Sequence, residues 1–153
     1  MFSSENIIVK NNVTLITLRD VPSDPCVVSS IFESVAENGI NVDMISRTAP
    51  HGSCTEISFT VDDKDFARVL TIANGFQKLY QGISSLVSSE NVKITVSDES
   101  MRTESGIACA IFKAAAKADA EIKIVTTSET EVSLLIDQYN EDSLIRQILS
   151  GVK

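Results

Sequence analysis

The chain is short of bases, aromatics, cysteine and histidine, and each shortage closes a class of function. Lysine and arginine number 13 against 21 acids in 153 residues, a formal charge of −8. Such a surface repels phosphate backbones, so nucleic acid is not an expected partner. Aromatics make up 5% of the residues. A sheet that stacks RNA bases needs more, together with a basic face. A single histidine, with no CxxC or HxxxH spacing, leaves no zinc-ligand set. Three cysteines fit a reducing compartment, the cytoplasm, better than a disulfide framework. No apolar run approaches the ~20 residues of a bilayer span, so no membrane partner is expected. The opening MFSSENIIVK lacks the basic start and apolar core of a secretory signal. Neither GxGxxG nor GxxxxGK[ST] occurs, so no phosphate-binding loop and no cofactor is expected. What the chain does have is 43% apolar residues, enough to bury a core. Its length suits one ordinary domain or two small ones.

The chain also repeats itself. TEISFTVD at Thr55–Asp62 returns as TEVSLLID at Thr130–Asp137. Ile31, Phe32 and Ala36 return as Ile111, Phe112 and Ala116, and VTLITL at Val13–Leu18 returns as VKITVS at Val92–Ser97. The offset between halves reads 79, then 80, then 75, a drift that loops absorb.

Each half reads strand, helix, strand, strand, helix. In the first, Val13–Leu18 is rich in β-branched residues. Asp24 can cap a helix with Pro25 at its first position. Val27, Val28, Ile31, Phe32 and Val35 then fall on one helical face, and Gly39 sits where a helix end takes a left-handed residue. Around the next strand, Val42 and Met44 point one way and Asn41 and Asp43 the other. Ile57, Phe59 and Val61 alternate, and a second helix from near Asp63 carries Phe66, Val69 and Leu70 inward.

The expected fold is α+β: two ferredoxin-like βαββαβ units, each a four-stranded antiparallel sheet with two helices on one face. The first half finds its fourth strand around Ser85–Ser88. The second half runs out after the helix of Leu144, Ile145, Ile148 and Leu149. Ile7–Val9 can supply the missing strand, which places residues 11–88 in a first unit inserted into a second, formed by 5–10 plus 89–153. The other reading of Asn6–Lys10 is a frayed terminal tail.

These residues carry a family resemblance. DVPSDPCVVSSIFESVAENGINVDMI resembles the first ACT domain of aspartokinases, and AEIKIVTTSETEVSLLID resembles their second, with its Ser-Thr-Ser-Glu-like run leading into a strand that ends in Ile-Asp. The resemblance spans roughly Ile7 to Leu149. It implies a tandem regulatory module that binds an end-product amino acid, of the lysine or threonine class, between ACT units of two chains. It implies no catalysis in this stretch. The expected partners are a small-molecule amino acid, a second copy in a homodimer, and an amino-acid-kinase catalytic domain, which the family places N-terminal to this region.

The implied effector-binding residues are Ser23, Asp24, Cys26, Val27, Val28, Asn41, Val42, Asp43 and Met44. The chemistry suits the ligand. Residues Ser23–Val28 offer helix-start N–H groups to a carboxylate, and Asp43 with Asn41 offers oxygen to an ammonium. By spacing alone a plainer reading stands beside this one: Asp24–Pro25 is simply a cap, and Asp43 is a solvated strand residue. Two positions depart from the family pattern, Cys26 for Gly and Arg47 for Gln. A Cβ at Cys26 narrows the approach to the backbone, which keeps open the alternative of a structural dimerisation module with a lost ligand site. In the second half Lys123 aligns with Asp43 and Glu121 with Asn41. A lysine there repels a ligand ammonium by about 1 kcal/mol or more, so this half is expected to be structural or to face a kinase domain. Cys26 and His51 make no hydrolase without a third, orienting group. Cys54 and Cys109 read as small apolar fillers.

Overall fold

The order strand, helix, strand, strand, helix runs twice along the chain in the computed structural model, which describes residues 2–151. The order is β1 (Ile7–Pro22), α1 (Pro25–Glu37), β2 (Ile45–Arg47), β3 (Cys54–Asp62), α2 (Phe66–Leu79), β4 (Ser84–Ser97), α3 (Ile107–Lys117), β5 (Ile124–Thr127), β6 (Glu131–Asp137) and α4 (Glu141–Leu149). Two compact units result. One is Asn12–Ser89; the other joins the described residues up to Asn11 with those from Glu90 onward.

β1 and β4 are each one strand where the sequence suggested two. The polar stretches around Asn11–Asn12 and Ser88–Asn91 read as breaks. Instead the chain stays extended on either side of a left-handed residue in each stretch, Asn12 (φ 57°) in β1 and Glu90 (φ 59°) in β4, and β1 holds a second such residue further on, Asp20 (φ 56°). Asn accepts that conformation readily; Glu does so at a cost.

In the Asn12–Ser89 unit the strand order is β2-β3-β1-β4. β1 and β3 are antiparallel, with Ile16 opposite Phe59 and Leu18 opposite Ile57. These four side chains join Ile31 and Val35 of α1 and Val69, Ala73 and Phe76 of α2 in one core. Burial of each large side chain contributes about 1.5–3 kcal/mol. Phe32 sets its edge on Phe59 with centroids 5.5 Å apart. Leu70 does not turn inward as the sequence suggested. It is 37% exposed, because the buried stripe of α2 runs through Val69, Ala73 and Phe76, the i, i+4, i+7 positions.

In the other unit the order is β5-β6-β4-β1. Ile94 faces Leu134 and Val96 faces Val132 across β4 and β6. They pack with Ile111 and Ala115 of α3 and Leu144 and Ile148 of α4. Ile7 and Val9 lie against this same core, and the Asn6 side-chain amide donates to the Ser97 carbonyl at 2.8 Å.

The strand pairing corrects the repeat register. Thr17 stands opposite Ser58, and Thr95 stands opposite Ser133. The first strands therefore match at an offset of 78, not 79, so that Val13 corresponds to Asn91 and Ile16 to Ile94. A slip of one residue turns every side chain to the opposite face. In the true register the same cross-strand pair occurs in both units: the Thr17 and Ser58 hydroxyls lie 3.1 Å apart, and those of Thr95 and Ser133 lie 2.8 Å apart.

Candidate functional site

α1 begins as its sequence dictates. The Asp24 backbone is extended, Pro25 takes the first helical position, and an Asp24 carboxylate oxygen accepts the Cys26 N–H at 2.8 Å. The Val27 and Val28 N–H groups both donate to the Asp24 carbonyl, at 3.0 and 3.2 Å, and the Ser23 N–H donates to the Ser53 carbonyl at 2.8 Å. This changes the expectation of open donors at Ser23–Val28. The cap carboxylate itself takes the Cys26 N–H, where a ligand carboxylate was expected to dock. Asp24 and Cys26 are exposed, whereas Val27 and Val28 are half-buried and lean on the core.

The second segment, Asn41–Met44, precedes β2 rather than lying within it. Its backbone still joins β3. The Asp43 N–H donates to the Thr60 carbonyl at 3.0 Å, and the Thr60 N–H donates to the Met44 carbonyl at 3.0 Å. Two residues thus oppose one, as in a β-bulge, which ends regular pairing and re-aims side chains. The displaced Met44 N–H finds the fully buried Thr60 hydroxyl at 2.9 Å. Val42 and Met44 turn inward, Met44 being 2% exposed, while Asn41 and Asp43 stay on the surface. The structure therefore seats Val27, Val28 and Val42 against one core and leaves Asp24, Cys26, Asn41 and Asp43 exposed on the same unit. Arg47, nearby on β2, directs its Nε to the Thr55 hydroxyl at 3.3 Å.

Other sequence candidates fare differently. His51 and Cys54 close a tight loop through their backbones, His51 N–H to Cys54 carbonyl at 2.8 Å. Cys54 is half-buried, but Cys109 is exposed and fills nothing. Among the described residues no group of three or more His, Cys, Asp or Glu side chains could hold a metal ion, and no helix is long and apolar enough to cross a membrane.

In the other unit Lys123 occupies the place of Asp43. Its N–H donates to the Leu135 carbonyl at 2.8 Å, as that of Asp43 does to Thr60. The Lys123 ammonium lies 2.7 Å from an Asp137 carboxylate oxygen and 2.6 Å from the side-chain oxygen of fully buried Asn91. An internal cation thus fills this position. The one-residue slip of the first strands puts Asn91 on the wrong face in the sequence reading, which hides it as a partner of Lys123. The start of α3 also differs from that of α1: Gly106, with φ 92°, replaces an acidic cap, and no side chain caps the helix.

Comparison with known proteins adds the family. The model of the ACT domain matches residues 19–74 and again 94–148. An aspartate kinase of Stutzerimonas stutzeri is 27% identical over 133 residues, which is 87% of this chain and 32% of that protein. The chain spans about a third of the length of the curated aspartokinases it matches. The solved structure of aspartokinase alpha and beta subunits includes a chain 31% identical to this one, with a TM-score of 0.81, covering 95% of this chain and 97% of its own. The ligand-free regulatory subunit of aspartate kinase from Thermus thermophilus shares the fold at a TM-score of 0.85 and 22% identity, covering 96% of this chain and 97% of that one. With two matches in tandem covering both halves, the chain belongs to the ACT domain family, as a regulatory pair of the aspartokinase type.

Proposed function

We propose that this ACT pair senses an end-product amino acid of the lysine or threonine class in a reducing cytoplasm and passes the signal to an amino-acid-kinase catalytic domain. The first ACT unit, residues 11–88, carries the site, and the second, formed by 5–10 plus 89–153, does not. The observation that carries this reading is the shared seat of Val27, Val28 and Val42 on one core, which leaves Asp24, Cys26, Asn41 and Asp43 at the surface of that unit. Asp43 and Asn41 take the ligand ammonium. The ligand carboxylate approaches the start of α1, where it competes with the Asp24 carboxylate for the Cys26 N–H. In the second unit Lys123 already meets Asp137, so a ligand ammonium finds a cation in its place.

A homodimer fits this reading. Two copies about a two-fold axis share an isologous contact, and a ligand held between them strengthens the dimer as the dimer strengthens binding. The Asp24 cap also favours a second reading, a structural dimerisation module whose ligand site is lost.

Thermal unfolding against the twenty amino acids separates the two. A ligand at 100 times its dissociation constant adds roughly 2.7 kcal/mol of stability. The sensing reading predicts a raised melting temperature with lysine or threonine that disappears in Asp43→Ala, a variant that still unfolds cooperatively. No shift with any amino acid supports the structural module.

A further inference from the structure

The exposed faces of α1 and α3 are opposite in charge at corresponding positions. The two helices match at the offset of 80 that joins Ile31 to Ile111, Phe32 to Phe112 and Ala36 to Ala116. On that offset Glu33 of α1 corresponds to Lys113 of α3, and Glu37 to Lys117. All four residues are exposed, and within each helix the two lie one turn apart on one face. α1 holds no base and α3 holds no acid, although the chain as a whole carries −8. Among the described residues none of the four takes part in an ion pair.

The same two helices differ in what their phenylalanines cover. Phe32 is half-buried and packs against the core of its own unit, with its edge on Phe59. Its counterpart Phe112 is 44% exposed and joins no core cluster. Exposed Ala108 and Ala116 lie one turn to either side of it, so the ring stands out from a shallow surface. On α1 the residues one turn to either side of Glu33 are Ser29 and Ala36, both small and exposed. One face thus offers an aromatic anchor with two cations, and the other offers room for a ring with two anions. Aromatic anchors supply the strength of an interface. Charge complementarity settles which partner it accepts.

From this combination we infer that α1 in the first unit of one copy docks on α3 in the second unit of another copy. Glu33 and Glu37 then face Lys113 and Lys117 of that second copy, and its Phe112 covers the small residues of α1. The inference rests on the homodimer proposed above and names the surfaces that form it. Pairing like with like is unfavourable: two α1 faces bring four glutamates together, and two α3 faces bring four lysines together. Crossed pairing gives each charge an opposite partner. About a two-fold axis the crossed contact occurs twice, once for each copy's α1.

The test is equilibrium sedimentation of the full chain without added amino acid, in the wild type and in two charge-reversed double variants. One carries Glu33→Lys with Glu37→Lys, the other Lys113→Glu with Lys117→Glu. Both exchange exposed residues for good helix formers, so both should unfold as cooperatively as the wild type. The wild type should be a dimer. Each variant alone should dimerise at least tenfold more weakly, because its α1 and α3 faces carry one sign. Mixed in equal amounts, the two variants should dimerise as tightly as the wild type. Phe112→Ala should weaken the wild-type dimer several-fold. None of these readouts involves a ligand, so amino-acid sensing stands or falls separately. A monomeric wild type overturns the homodimer and the docking together. A dimeric wild type overturns the docking alone if either double variant dimerises as well by itself, if the mixture is no tighter than its components, or if Phe112→Ala changes nothing.

Discussion

Asp24 shows how one residue serves the helix and opposes the ligand. Its carboxylate satisfies the Cys26 N–H, an arrangement worth about 1 kcal/mol to a helix. It also places a negative charge where an effector carboxylate is proposed to arrive. The two roles separate by substitution. Asp24→Asn keeps a side-chain oxygen for the cap and removes the charge, so it should leave the denaturant midpoint nearly unchanged and tighten amino-acid binding. Asp24→Ala should tighten binding too but lose about 1 kcal/mol of stability. Weaker binding in Asp24→Asn would show that the carboxylate contacts the ligand favourably. The repeated threonine–serine pairs offer a second comparison. Thr95 and Ser133 are buried, at 8% and 6% exposure, whereas Thr17 and Ser58 are half-exposed. Ser133→Ala strands the Thr95 hydroxyl and should cost about 1–3 kcal/mol in urea unfolding. Ser58→Ala lets water reach Thr17 and should cost clearly less.

At the scale of elements, the helices were the most legible part of the sequence. Asp24–Pro25 marks the start of α1, Ile31 and Val35 mark its buried face, and Gly39, at φ 69°, follows its end. The same place after α3 is taken by Asp119 at φ 52°, which no glycine signals. The strands were less legible for a physical reason. Val13, Thr14, Leu15 and Ile16 are all buried, so both faces of β1 read as interior and the alternation that fixes register is blurred. By sequence the first strands therefore align one residue off, which hides Asn91 as a partner of Lys123. The bulge that sets Asp43 on the surface has no sequence signature beyond Thr60, whose hydroxyl holds the displaced N–H. One element-level prediction concerns the N-terminal strand. Deleting residues 1–9 removes Ile7 and Val9 from the core that contains Ile94 and Val96. Hydrogen exchange should accelerate across Val92–Val96 while Ile57–Val61 keeps its protection. Equal exchange in both stretches would detach that strand from the unit it packs on.

At the scale of the molecule, a duplicated fold carries an asymmetry. Both units carry the ACT architecture, yet one presents Asp43 where the other presents Lys123 held by Asp137 and Asn91. A duplicated module with one position reversed in charge can bind an amino acid in one half and keep the other as a fixed platform. The most direct measurement of this claim follows backbone amide signals by NMR during titration with lysine and with threonine. One of the two amino acids should move the amides of Ser23, Cys26–Val28 and Asn41–Met44, and leave those of Ile122–Ile124 and Leu134–Ile136 in place. Equal movement around Lys123, or no movement near Asp43 with either amino acid, would contradict it.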